Sequence, residues 1–127
     1  MTVAELKNLV MHQTNNDVDD LGDYLPYLMN YINEGYDLLL YARDKTHISD
    51  DPLLKLVDDT DEPDLPLWTH KAIADWATWL VYRNGNPQKQ QRGYAFRSAF
   101  LEVSSLLTEQ GADGSGSRVK KFTNIPW

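Results

Sequence analysis

The chain has 127 residues, a formal charge of −7, 42% hydrophobic and 11% aromatic residues; this fits one domain with material for a core and excludes wholesale disorder. It holds no cysteine, which excludes a disulfide scaffold and a Cys-based zinc or redox site. No apolar run approaches the ~18 residues of a membrane span, Met1-Thr2-Val3-Ala4-Glu5 lacks the basic and apolar regions of a signal peptide, and the acid excess argues against a nucleic-acid binder that relies on backbone charge.

Thr2 and Glu5 have capping-box spacing, and Val3, Leu6, Leu9 and Val10 predict a short helix over 3–12. Asn, Asp and Gly break the pattern from His12 to Asp23. Pro26 suits the first turn of a second helix, predicted over 25–43. This helix carries two apolar stripes. One is Leu25, Leu28, Ile32, Tyr36 and Leu39; the other is Tyr27, Tyr31, Leu38 and Tyr41, interrupted by Glu34. A surface helix normally shows one stripe. The second therefore either packs within the same small core or meets another subunit, for which Tyr offers area and a polar tip.

Residues 44–65 form a long acidic connection, an unusual length inside a compact domain. Asp51-Pro52 resembles an N-cap and first helical residue, so one or two helical turns are expected over Leu53-Leu54-Lys55-Leu56-Val57. These leucines fill either their own core or a neighbour's pocket. Pro66 opens a third helix, predicted over 66–84. Trp68, Ile73, Trp76, Trp79 and Leu80 leave only a narrow polar strip of Lys71, Asp75 and Thr78, the pattern of a helix central to a bundle. Asn84-Gly85-Asn86-Pro87 then stops one helix and caps the next, predicting an αα-hairpin. The fourth helix, over 87–110, aligns Phe96, Phe100, Val103 and Leu107 inward, with Ser98, Glu102, Ser105 and Glu109 opposite, and Gly111 as its stop. Arg83, Lys89, Arg92 and Arg97 crowd the hairpin tip, as a solvated face or as a surface for an acidic partner. Gly111–Ser117 reads as a linker. The arm that follows carries Arg118, Lys120, Lys121, Phe122 and Trp127, apolar anchors for its own core or a neighbour. The expected organisation is an all-α domain over 1–110 plus a linker and arm over 111–127.

Charge divides along the chain. Residues 1–66 hold 15 acids and 4 bases, residues 67–127 hold 4 acids and 8 bases. Opposed patches of this kind guide association and fix register.

No reactive constellation emerges. Asp17-Val18-Asp19-Asp20-Leu21-Gly22 begins like a calcium loop, but Leu21 and Leu28 stand where ligands belong. His12, His47 and His70 form no metal-ligand spacing. There is no Gly-x-Ser-x-Gly elbow and no phosphate-cradling glycine loop. No catalytic residue, cofactor or metal ligand is assigned, and an enzyme is not expected.

The segments "LPYLMNYINEGYDLLLYA" and "LPLWTHKAIADWATWLVYRNGNPQKQQRGYAFRSAFLEVSSLL" resemble the head–tail connector proteins of tailed bacteriophages and prophages, also called adaptor or head-completion proteins. The resemblance covers about residues 22–110. It lies in the aromatic-Ala pair Trp76-Ala77, the turn containing Gly85, and the long partner helix ending near Leu107. It implies a non-enzymatic, helical structural protein that assembles as a ring below the portal and joins the head to the next neck or tail protein. It also implies a place in the host cytoplasm during assembly and in the virion neck afterwards. Subunit or portal contacts are then expected on the 44–65 connection and the 118–127 arm. The strong acidity of 44–65 departs from that pattern; acidic walls lower adhesion of DNA. The residues expected to carry interactions are Tyr27, Tyr31, Tyr41, Leu53, Leu54, Arg83, Lys89, Arg92, Arg118, Lys120, Lys121, Phe122 and Trp127. The alternative reading is a small acidic helical regulatory or inhibitor module that binds a basic protein partner.

Overall fold

The computed structural model describes residues 1–14, 24–46 and 55–112, with the side chains of 111 and 112 excluded. Among the described residues there are four α-helices: α1 Val3–Gln13, α2 Leu28–Arg43, α3 His70–Arg83 and α4 Pro87–Ala112. Short 3₁₀ turns at Leu25–Tyr27 and Leu67–Thr69 lead into α2 and α3. Among the described residues there is no strand, so the all-α expectation holds.

α1 begins where its capping box places it. Thr2 Oγ1 accepts from the Glu5 amide at 3.2 Å, and Glu5 Oε1 accepts from the Thr2 amide at 2.8 Å. The Thr2 amide hydrogen bond holds the Glu5 carboxyl below the usual carboxylate range. α3 and α4 form the expected hairpin. Asn86 Oδ1 accepts from the Lys89 amide at 2.9 Å, so Asn86 is the N-cap and Pro87 the first helical residue. Aromatic pairs join the two helices in antiparallel order: Tyr82 with Phe96, Trp79 with Tyr94 and Trp76 with Phe100. Gly93 lets them approach closely, since a Cβ there would lie 2.7 Å from Trp79 Cε3 and 2.8 Å from Tyr82 Cβ.

α2 runs antiparallel to α3 and therefore parallel to α4. Tyr31 Oη accepts from Asn84 Nδ2 near the end of α3, while Gly35 lies against Ile73 and Trp76. α1 lies along α3 in the same direction. Met1 sits at His70, and Gln13 reaches Asp75 and Thr78. The core lies between α1, α2 and α3, closed by Phe100 and Leu107 of α4.

Several boundaries differ from the sequence reading. The segment around Pro26 and the one after Pro66 are 3₁₀ turns, so the α-helices begin at Leu28 and His70 rather than at 25 and 66. The second turn swings Leu67 and Trp68 outward, and Trp68 is 45% exposed rather than part of the inner face. α4 does not stop at Gly111 but continues through Ala112. Lys55–Val57 is not helical. Leu56 is nevertheless buried in the chain's own core, because Asn33 grips its backbone from both sides at 2.9 Å. The candidate calcium segment 17–22, Leu53, Leu54 and residues 113–127 lie outside the described residues.

Candidate interaction surface

α2 presents three faces, a direct result of its 3.6-residue period. Leu28, Ile32, Gly35, Leu39 and Ala42 are buried in the core. A second face holds the acidic connection. Besides the Asn33 bonds, Tyr36 Oη accepts from the Asp64 amide at 2.9 Å and Arg43 Nη1 donates to the Asp64 carbonyl at 3.0 Å. Burial raises the pKa of the Tyr36 hydroxyl above its usual value.

The third face meets solvent. Tyr27, Tyr31, Glu34, Leu38 and Tyr41 follow one another at spacings of 4, 3, 4 and 3. Tyr27 is 55% and Tyr41 50% exposed, Leu38 and Glu34 are exposed, and Tyr31 is half-buried. The row is built, not loose. Tyr27 and Tyr31 stack with centroids 6.4 Å apart, Lys45 Nζ stands 4.5 Å from the centre of the Tyr41 ring, and Glu34 Oε2 accepts from Trp76 Nε1 at 2.8 Å. The alternation of 3 and 4 is the spacing by which one helix packs along another. Of the second apolar stripe, Tyr27, Leu38 and Tyr41 are thus exposed, while Tyr31 is packed against the chain's own core.

The hairpin tip is different from what its charges suggest. Residues 76–101 contain four cations and no acid. Arg83, Arg92 and Arg97 are exposed, but Lys89 is only 7% exposed. Lys89 stands four residues before Gly93 and so shares the inward line of Gly93, Phe96 and Phe100; helical period places it inside despite its charge. It is therefore not an exposed contact residue.

Two polar clusters are buried and serve the fold. Asp75 accepts from Gln13 Nε2 at 3.0 Å and from Lys71 Nζ at 2.9 Å, while Thr78 Oγ1 donates to Gln13 Oε1 at 2.6 Å. The polar strip of α3 thus lies beneath α1 rather than in water, except for the exposed Lys71. His70 is also buried. Its Nε2 lies 2.9 Å from the Leu65 carbonyl and its Nδ1 2.7 Å from the Met1 amino group. A carbonyl can only accept, so Nε2 carries the proton and Nδ1 accepts. Among the described residues no group of three His, Asp or Glu is placed to hold a metal ion, and no helix is long and apolar enough to cross a membrane.

The predicted contact residues therefore separate. Tyr27, Tyr31 and Tyr41 lie on one continuous face, Arg83 and Arg92 lie exposed at the hairpin tip, and Lys89 is buried. Leu53, Leu54, Arg118, Lys120, Lys121, Phe122 and Trp127 lie outside the described residues. Exposed Val57, Leu67, Trp68, Tyr94, Leu101 and Leu106 had no distinct signal in the sequence; each sits within a pattern that also reads as core.

The chain matches no protein-family model, no curated protein and no solved structure.

Proposed function

We propose that this protein is a structural connector, using its helical surfaces to join copies of itself into a ring below a phage portal and to dock the next neck or tail protein. The observation that carries this reading is the row of exposed Tyr27, Leu38 and Tyr41 with half-buried Tyr31 on α2 and the turn that leads into it. Tyrosines supply contact area at small loss of side-chain freedom and are enriched at interfaces. The row has the spacing that accepts another helix, and Glu34 within it offers a fixed acceptor. The resemblance of residues 22–110 to head–tail connectors supplies the biological context. A ring requires a heterologous interface, two different patches on one subunit. The α2 row and the exposed cationic hairpin tip are two such patches.

Electron microscopy of the protein mixed with portal rings tests the reading. The expected result is added ring density below the portal, weakened by Tyr27→Ser with Tyr41→Ser. Portal rings with no added density at any protein concentration overturn it. In this reading the partners are the chain itself, the portal and a downstream neck or tail protein. The place of action is then the host cytoplasm during assembly and the virion neck.

A further inference from the structure

Two exposed patches of opposite charge stand at the two ends of α3. We infer that they pair between copies of this chain: the hairpin tip of one copy seats on the acidic end of the next, in head-to-tail order. The contact goes beyond the connector reading, because it requires no portal.

The acidic end is built by the segment that leads into α3. Residues 55–66 hold five acids and one base. The Asp61 carbonyl accepts from the Val3 amide at the start of α1, and the Leu65 carbonyl lies 2.9 Å from His70 Nε2 at the start of α3. These bonds fix the segment against both helix starts. Asp61 is taken by the Val57 and Asp58 amides, Asp59 by Lys7 and Glu62 by the Met1 amino group. Asp58 and Asp64 are exposed, and among the described residues their carboxylates make no hydrogen bond or ion pair. Leu67 and Trp68 follow Asp64 by three and four residues and are exposed too.

The tip is the counterpart. Arg83 closes α3, about 20 Å from His70 at helical rise. Tyr94 of α4 stacks on Trp79 with centroids 5.2 Å apart, and Trp79 lies four residues before Arg83 on the same side of α3. Arg97 lies three residues after Tyr94 on the same side of α4. Arg83, Tyr94 and Arg97 are exposed, and among the described residues neither guanidinium makes a hydrogen bond or ion pair. Residues 76–101 supply no acid to neutralise them.

Two guanidiniums and a tyrosine thus match two carboxylates and a leucine–tryptophan pair. Arginine forms paired hydrogen bonds to carboxylates and lies over indole rings, and arginine and aromatic side chains are enriched at interface centres. Patches of opposite sign guide encounter and fix register. Two different surfaces meet, so the contact is heterologous and repeats from copy to copy. The patches are small beside the ~800 Å² per partner of a stable complex. The contact is therefore weak and salt-sensitive, and a template that lines up copies strengthens it.

Sedimentation velocity of the full chain tests this. At about 0.01 M salt, where charges act over about 30 Å, the average mass is expected to rise with protein concentration beyond that of a dimer. At about 1 M salt, where they act over about 3 Å, it is expected to return to that of the monomer. Arg83→Ser with Arg97→Ser and, separately, Asp58→Asn with Asp64→Asn are each expected to weaken association about tenfold. All four side chains are exposed and unbonded, so both variants keep the fold. The first variant keeps its acidic end and the second its tip, so an equal mixture is expected to form one-to-one pairs that grow no further. Monomer at low salt overturns the contact, as do association indifferent to salt, growth that stops at a dimer, either variant associating like the unaltered chain, or a mixture that forms no pairs. A chain that binds portal rings yet stays monomeric alone overturns this contact and leaves the connector reading standing. Salt-sensitive head-to-tail growth without portal binding does the reverse.

Discussion

Gln13 joins two helices through both ends of one amide, donating to Asp75 and accepting from Thr78. Thr78 is buried, so truncation takes away the acceptor of its hydroxyl, while Asp75 loses one donor and keeps Lys71. Gln13→Ala is expected to cost about 1–3 kcal/mol, read as a lower Tm or denaturant midpoint. Asp61 does comparable work on the surface. Its carboxylate accepts from the Asp58 and Val57 amides at 2.8 and 2.9 Å, and these bonds hold its pKa below the usual aspartate value of 3.8. Its backbone carbonyl in turn accepts from the Val3 amide at the start of α1. A lowered folded-state pKa means that the contribution is complete above 3.8 and is lost as pH falls through the lower folded value. Asp61→Ala is therefore expected to lower Tm at pH 7 and to have a shrinking effect as pH drops below that value, measured by paired thermal melts. The capping box was readable from Thr2 and Glu5 because its atoms are three residues apart. The partner of Gln13 was not, because Asp75 is 62 residues away.

At the scale of elements, the α3–α4 hairpin is held by aromatic contacts made possible by one missing side chain. Gly93→Ala places a Cβ within 2.8 Å of the Tyr82 Cβ, an atom fixed to its backbone. The helix-propensity gain of about 1 kcal/mol is then outweighed by overpacking, and a net loss of about 1–2 kcal/mol is expected in chemical denaturation. The turn itself was legible in Asn84-Gly85-Asn86-Pro87, since capping depends on neighbouring residues. Lys89 was misplaced when charge was weighed before period, although its position on the line of Gly93, Phe96 and Phe100 was present in the spacing. The two stripes of α2 were equally visible. Which one faced the core depended on where α3 and the acidic connection settled, and both approach from the other two sides of the helix.

On the scale of the whole molecule, α1 covers a strip of α3 that would otherwise be wet, and the acidic connection is held to α2 by Asn33, Tyr36 and Arg43 through backbone atoms. Backbone-directed bonds leave the carboxylates of Asp58 and Asp64 facing solvent. Among the described residues the buried hydrophobic core runs from Val3 to Leu107. Removing residues 113–127 is accordingly expected to keep a single cooperative transition with Tm changed by only a few degrees, as differential scanning calorimetry reports. Ile73→Ala, at the meeting point of α2 and α3, is expected to cost about 2–5 kcal/mol by the same measurement.

The hairpin and the caps at Thr2 and Asn86 were written in local order, because hydrogen-bonded turns and helical periods involve residues a few positions apart. Tertiary packing alone settled which apolar stripe of α2 stayed mostly exposed, that Leu56 entered the chain's own core, and that Asp75 and Thr78 went inside. Those outcomes depend on the competition of distant elements for the same surface, and no short-range pattern encodes who wins.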